Sequence, residues 1–492
     1  FGAVFTKRKN LMLMTGGFLI AGILFNMYYQ YSYEKDYLSE FSDQGEALDK
    51  LETGTDLAVL KTGDESIYRY DQMGTHSYEN SSMQTGTNST SYYFSVASGD
   101  ITNFFNEVDL NTPWDYHYEN LDSRTILDRL AAVKYFVVKA GEEEYLPYGY
   151  DTLAAEAEKK DRLYRAYECK NALPIGYTYD SYIPEKKYAK MSTVEKQQAL
   201  LQGVVLADSA VPETTPEFND REVSYKLVTG SGCKEKDGKL MITKENAQAK
   251  LVFDGLDECE TYLITEGVDY EALSPRELIS DKKWNKMTLY EQKKVQYENS
   301  KWRYWKESQK AYIDVTGQFL DKTISIFTDK YNAYSGRSDF LCNTGYSEKG
   351  KKSITLTFEN TGVYSYKDMK VVCQPMKNIE SQTSRLGTES LKDVKIKNHE
   401  LTGSISVSKD KVLVISLPYS KGFQAYVDGQ KTELKQANTM YMALELTKGD
   451  HEIRITYYTP YLKTGLVLTC VGILCYICVV LVCKKRRGNK ET

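Results

Sequence analysis

The chain holds four histidines, His76, His117, His399 and His451, and none sits at ligand spacing from another histidine or from a cysteine. Zinc and iron sites need several such donors converging on one point, so no metal is expected. There is no His-Glu-x-x-His helix, no Gly-x-Ser-x-Gly elbow and no glycine-rich phosphate loop. That argues against metalloproteases, α/β-hydrolases and nucleotide-binding enzymes, and leaves no cofactor to expect. Carboxylates are abundant, so an acid pair for glycoside hydrolysis stays open, but spacing along a chain does not report the ~5–9 Å separation that chemistry needs. Arg69 lies between Tyr68 and Tyr70. It can reach an anionic group at a membrane surface, or serve as an ordinary strand cation. Tyr92 opens an aromatic run with Tyr93 and Phe94, and tyrosine packs flat on sugar rings. Arg69 and Tyr92 are the candidate ligand contacts, and no residue is nominated as catalytic.

Cysteine chemistry is also thin. Cys169, Cys233, Cys259, Cys342 and Cys373 are an odd, sparse set without a Cys-x-x-Cys pair, unlike a disulfide framework. Cys233 and Cys259 can pair, or all five can be buried thiols. Cys470, Cys475, Cys478 and Cys483 fall in or beside a C-terminal apolar run. There they suit small packing positions or, near Cys483, lipid attachment.

The elements that position these residues begin with the two ends. An apolar helix over residues 11–29, about 19 residues without a charge, matches a ~30 Å hydrocarbon core. It follows Lys7-Arg8-Lys9 and ends at Tyr28, Tyr29 and Tyr31, where an interfacial aromatic belt belongs. A second uncharged run spans 464–482, and the tail over 483–492 contains Lys484-Lys485-Arg486-Arg487. Basic clusters mark the cytoplasmic side, so residues 30–461 are expected outside the membrane and the C-terminus inside. A secretory signal is the competing reading for the first run. The bulky Asn26-Met27-Tyr28-Tyr29-Gln30 that follows it offers no cleavage site. Residues 1–10 then read as the end of a preceding membrane helix and a short cytoplasmic turn.

Between the two anchors the chain is long enough for two or three cores. The net charge of −5 and scattered basic residues give no stripe for nucleic acid. Tyrosine is abundant, 41 against 16 Phe and 4 Trp, and suits half-buried strands and wet surfaces. A charged connector is expected over 30–64, then a small α/β domain over 65–205. In that domain Ser123 is placed as the N-cap of a helix over 125–132, running into a strand over 133–138. Ser192 and Glu195 form a capping box before another helix. A β-sandwich follows over 220–378, with a helical insertion at 274–312. The insertion opens on Ser274-Pro275-Arg276-Glu277, repeats a capping box at Thr288-Leu289-Tyr290-Glu291, and carries Trp284, Trp302 and Trp305. It is expected to pack on its own β-domain, with rest on a membrane surface or a partner domain as the alternative. Asn360-Thr361-Gly362 is read as the turn of a hairpin. A second sandwich is expected over 390–460, with turns at Asp428-Gly429 and Lys448-Gly449-Asp450. The fold class is therefore α+β, mostly β, flanked by two transmembrane helices.

The last hundred residues carry a family resemblance. The stretch Leu413-Val414-Ile415-Ser416-Leu417-Pro418-Tyr419-Ser420-Lys421-Gly422-Phe423-Gln424-Ala425-Tyr426-Val427-Asp428-Gly429 closely resembles the C-terminal signature of the bacterial YfhO family. So do Lys448-Gly449-Asp450-His451-Glu452-Ile453 and Tyr457-Tyr458-Thr459-Pro460-Tyr461-Leu462-Lys463-Thr464-Gly465. Upstream, Ala172-Leu173-Pro174-Ile175-Gly176-Tyr177 and Asp339-Phe340-Leu341-Cys342-Asn343-Thr344-Gly345-Tyr346 follow in family order. One departure is Phe423, where the family usually carries Trp. Gly422, Tyr426, Asp428, Gly429, Gly449, His451, Pro460 and Gly465 are the signature positions, read as structural. The resemblance implies a multi-pass bacterial membrane protein with a GT-C-type glycosyltransferase fold. It also implies transfer of sugar from a polyprenyl-phosphate carrier onto an envelope polymer such as lipoteichoic acid. The family's catalytic acid lies in an early extracellular loop that these residues do not match. The chain is therefore expected to be the extracellular and C-terminal part of such an enzyme, working with an N-terminal membrane bundle. The alternative is a non-catalytic, membrane-anchored module that binds envelope glycans. A self-sufficient extracellular hydrolase has no nucleophile motif to support it.

Overall fold

A computed structural model describes residues 9–31, 52–73, 80–110, 116–118, 120–305, 310–317, 321–329, 331 and 334–488. The expected helix stub over residues 1–8, most of the 30–64 connector and the end of the basic tail lie outside them. The chain forms two compact units, Phe1–Thr53 and Gly54–Thr492. In the first, Lys9–Tyr31 is helical and its apolar side chains, Phe18 and Phe25 among them, are exposed. In the second, the helix Leu462–Gly488 includes Leu462–Val482, which is long and apolar enough to cross a membrane. The apolar stretch of the first helix, Leu13–Tyr29, is shorter, interrupted by Thr15, Gly16, Gly17 and Asn26. So one of the two expected spans, not both, meets that length among the described residues.

Residues 54–64 do not form a free connector. The helix Gly54–Leu60 lies on a four-stranded sheet ordered Arg69–Gln72, Val133–Lys139, Arg162–Cys169, Tyr150–Lys159. Gly54 is required there: a Cβ would stand 2.2 Å from the Tyr164 ring. Tyr70, Tyr135, Val137 and Ala166 face this helix, while the alternate residues Phe136 and Val138 face a larger core on the other side. The period-2 reversal of strand side chains produces both faces.

The expected boundary near 205 does not separate the sheets. Gly176–Tyr179 leaves the α/β region and pairs antiparallel with Lys411–Pro418, placing Tyr177 opposite Val414. Tyr177 and Tyr179 are wholly buried, and their hydroxyls donate to the carbonyls of Leu130 and Leu200. One core therefore runs from Phe104 and Leu130 to Val412, Val414 and Tyr441. The remaining C-terminal strands enclose a smaller core around Leu413, Ile415, Met442 and Ile455.

The middle sandwich sets the sheet Arg221–Val223, Asp368–Pro375, Cys259–Glu266, Phe340–Ser347 against a five-stranded sheet around Ser353–Phe358. The hairpin expected across Asn360-Thr361-Gly362 does not form. Ser353–Phe358 pairs with Ala247–Phe253 and Lys310–Thr316, whereas Gly362–Ser365 crosses to Lys239–Ile242 and Asp269–Ala272. Gly362 passes so close to Tyr270 that a Cβ would lie 2.3 Å from its ring. The chain changes sheets across this turn.

Within the helical insertion, the reciprocal hydrogen bonds of Ser274 and Glu277 close a turn, and helices follow at Asp281–Trp284 and Leu289–Trp305. Thr288 and Glu291 form the expected box. Arg276 stacks 4.4 Å from the Trp284 ring. Leu289 and Tyr290, in the first turn of the long helix, are 72% and 80% exposed.

Candidate functional site

Arg69 and Tyr92 lie on different strands and line one cavity of about 80 Å³, together with Ser416 and Tyr441. Backbone irregularities aim the groups that meet there. The pairing of Arg69–Gln72 with Val133–Lys139 slips between Arg69 and Tyr70, and that of Lys411–Pro418 with Tyr441–Leu446 slips between Ile415 and Pro418. Such bulges redirect side chains at functional sites. The Arg69 guanidinium donates through Nη1 to the Ala131 carbonyl at 2.6 Å and to Ser416 Oγ at 3.3 Å, and through Nη2 to the Ser416 carbonyl at 2.8 Å. Burial pulls its pKa below the usual value, and the Tyr441, Tyr177 and Tyr92 hydroxyls work in the opposite direction. An arginine remains charged all the same. Burial pushes Tyr441 up to about 12 and raises Tyr92 as well, so both present neutral O–H groups at physiological pH. The structure places Arg69 partly buried, between the Ala131 and Ser416 carbonyls.

Beneath the cavity a polar core joins the α/β region to the middle sandwich. Ser123 is not the expected N-cap: its φ of 51° and that of Asp122, 62°, are left-handed. The Asn343 amide donates to both their carbonyls. The helix Thr125–Leu130 is capped instead by Glu260, a sandwich residue 135 positions away, which accepts from the Thr125 N–H at 3.1 Å and its hydroxyl at 2.6 Å. Tyr262 donates to the same carboxylate, and Gln197 donates to the Tyr262 oxygen at 2.9 Å. Arg129 donates to Glu380 at 2.7 Å and to Thr383 at 3.0 Å. Asp71 accepts from the Gln72 and Leu121 N–H groups. Its neighbour Asp128 is wholly buried, and no donor faces either of its oxygens. Burial first, then the Asp71 charge, raises Asp128 well above the usual carboxylate range. Burial raises Asp71 as well, so the two carboxyls share a raised proton affinity, with the hydrogen bond between them running from Asp128 to Asp71.

Of the signature positions, Asp428, Gly429, Gly449 and His451 gather at one end of the C-terminal strands, and Gly422, Pro460 and Gly465 lie at the other, where the chain enters its last helix. Asp428 and Gly429 adopt left-handed φ values of 53° and 78° in the turn between Phe423–Val427 and Gln430–Thr432. Asp428 accepts from the Glu452 N–H at 2.9 Å and lies 2.8 Å from His451 Nδ1, while His451 Nε2 is 2.8 Å from the Thr447 carbonyl. A carboxylate and a carbonyl facing the two ring nitrogens make both of them donors, hence an imidazolium. Burial works against that charge, but the Asp428 and Thr447 hydrogen bonds outweigh it and raise the pKa. A raised histidine contributes stability that is complete below about pH 6.5 and is lost as pH rises through its folded value. His451→Gln is expected to abolish this step, worth about 1 kcal/mol or less at so exposed a pair. Thermal unfolding between about pH 6 and pH 9 checks it. Tyr426 stacks on Arg454 at 4.1 Å. Gly449 has φ 146°, and a Cβ on Gly422 would stand 2.5 Å from the Tyr458 carbonyl and 3.1 Å from Pro460. Gly465 lies in the C-terminal helix with open space around it.

The structure thus brings Arg69 and Tyr92 together and keeps both apart from the signature cluster. Sequence reasoning missed Ser416, Tyr441, Asp128 and Glu260; no local pattern marked them, although Ser416 sits inside the signature. Cys169, Cys233, Cys259, Cys342 and Cys373 are buried and form no disulfide, so Cys233 and Cys259 are not bridged to each other. Among the described residues no group of histidine, cysteine and carboxylate side chains could hold a metal ion.

The mostly β chain carries one helix segment among the described residues, Leu462–Val482, that is long and apolar enough to cross a membrane. The sequence profile of the family described as "Bacterial membrane protein YfhO" matches residues 3–469, and the chain belongs to that family. It is 22% identical over 510 aligned residues to the "Uncharacterized protein YfhO" of Bacillus subtilis (strain 168), covering 99% of this chain and 52% of that protein. The chain therefore spans about half the length of the curated relative it matches. Among solved structures, the arabinofuranosyltransferase AftD from Mycobacteria is 12% identical and overlaps 34% of this chain and 14% of its own, with a TM-score of 0.14. The N-terminal CBM22 tandem domain of Paenibacillus barcinonensis Xyn10C is 7% identical, over 50% and 92%, with a TM-score of 0.19. Neither superposition is close enough to carry an argument.

Proposed function

We propose that this chain is the extracellular and C-terminal part of a multi-pass glycosyltransferase in the bacterial cell membrane. On this reading the whole protein transfers a sugar from a polyprenyl-phosphate carrier to an envelope polymer such as lipoteichoic acid. The present chain holds one of those substrates over an N-terminal membrane bundle, which carries the chemistry. Family membership supports the reading. The observation that carries the holding role is the short junction between the last strand, Gly449–Tyr457, and the helix that starts at Leu462. Gly422 accepts from the Tyr458 N–H at 3.0 Å, and Tyr461 turns the chain with φ 61°. A sandwich fixed to its membrane helix by so short a junction keeps a bound polymer at a set height.

The test is transfer by the full-length protein, reconstituted in vesicles with labelled polyprenyl-phosphate sugar and envelope polymer. Label appearing in the polymer is the expected result. Polymer binding without transfer would instead support a non-catalytic glycan-binding module.

A further inference from the structure

Three arginines of the N-terminal α/β region have inward-facing guanidinium groups, and two have acidic partners. Arg124 lies 3.4 Å from Asp122, and Arg129 lies 2.7 Å from Glu380. Arg69 has none among the described residues: its protein contacts are two carbonyls and one hydroxyl. Arg69 is partly buried, and a guanidinium that faces a cavity without a counter-charge is a ready partner for an anion. Those contacts occupy three of its five N–H donors, and the other two, on Nε and Nη2, have no acceptor among the described residues.

The cavity beside this unfilled fork has the right shape and chemistry to take an anion. Its volume of about 80 Å³ holds roughly two or three waters, at ~30 Å³ each, or one tetrahedral oxyanion. Ser89, Tyr92 and Tyr441 add hydroxyl groups to its wall, and Phe105, Pro418 and Met440 make the rest apolar. The hydroxyls are neutral, so each can donate to an oxyanion, and none competes with it for the arginine. A planar fork flanked by hydroxyl donors is a phosphate-recognition arrangement. We propose that the cavity at Arg69 binds a phosphate-type oxyanion, gripped by the free guanidinium edge and the hydroxyls of Tyr92 and Tyr441. The apolar wall then receives whatever body carries that group. This deepens the holding role proposed above and rests on it only for the anion belonging to a substrate.

The experiment is a titration of the full chain in non-ionic detergent with inorganic phosphate at constant ionic strength, read by calorimetry and by ³¹P line broadening. Saturable binding at about 10 mM or tighter is expected. Arg69→Lys, which keeps the charge and loses the fork, should weaken it about 10-fold. Tyr92→Phe, which removes only a hydroxyl, should weaken it roughly 3-fold. Should Arg69→Lys fail to fold, Tyr92→Phe and Tyr441→Phe carry the test alone. Competition by a short alkyl phosphate points to a polymer or sugar phosphate. Competition by vesicles of anionic phospholipid, and not by the alkyl phosphate, points to a lipid headgroup. Both uphold the site. No saturable binding by the unaltered chain, or binding that none of the variants changes, overturns it. Phosphate binding in a protein that transfers no sugar would sink the proposed enzyme and leave this site standing.

Discussion

Glu260→Ala is expected to destabilise the chain by about 3–5 kcal/mol, the largest effect of any single change proposed. The carboxylate is wholly buried and accepts from the Thr125 N–H, the Thr125 hydroxyl and the Tyr262 hydroxyl. Removing it strands three buried donors, each costing about 1–3 kcal/mol when left unpaired, less whatever the relaxing structure or entering water recovers. It also leaves a cavity where the side chain stood. Glu260→Gln keeps the volume and one acceptor, so about 1–2 kcal/mol is expected for it. Denaturant unfolding of the full chain in detergent measures both. Hydrogen exchange should localise the loss, because the helix Thr125–Leu130 and the strand Cys259–Glu266 belong to different cores joined at this carboxylate. An alanine variant as stable as the parent would mean that the two cores are not locked there.

Asp128→Asn should do the opposite and stabilise the protein at neutral pH. Asp128 has a folded pKa well above its ordinary value of 3.8, through burial and the neighbouring Asp71 charge. Holding its proton costs nothing below about pH 4, where the unfolded chain is protonated too. As pH rises above that, the unfolded state releases the proton and gains relative to the folded one, until the folded value is reached. Asparagine keeps the shape and can donate its amide to Asp71 at every pH. A gain of about 1–3 kcal/mol near pH 7 is expected, since each tenfold difference in proton affinity between the folded and unfolded chains is worth about 1.4 kcal/mol. It should shrink as pH falls to about 4. A gain of equal size at these two pH values would show that Asp128 is not the protonated partner.

Local order was legible because local chemistry encodes it. Ala247–Phe253 alternates buried and exposed along its whole length, as its sequence alternation indicated. The Ser192–Glu195 capping box forms with both of its hydrogen bonds. The C-terminal apolar run becomes a helix of spanning length. Pairing at a distance was not legible, since period-2 patterning says which face a strand buries and nothing about its neighbour. Gly176–Tyr179 reads like any buried strand, yet its partner is Lys411–Pro418. The same limit hid the candidate site. Arg69 and Tyr92 attracted notice by type, but Ser416, which receives the Arg69 guanidinium, is 347 positions away. Ser123 misled as an N-cap because its replacement, Glu260, comes from the middle sandwich.

The most direct test of the central claim, that this part of the protein holds a substrate and the membrane bundle does the chemistry, is the steady-state kinetics of sugar transfer by the full-length protein carrying Tyr92→Phe or Arg69→Lys. The account predicts that KM for one of the two substrates rises about 3- to 10-fold, with kcat within about 2-fold of the parent. A fall in kcat at saturating concentrations of both substrates, with each KM unchanged, would contradict it by placing the chemistry at this cavity.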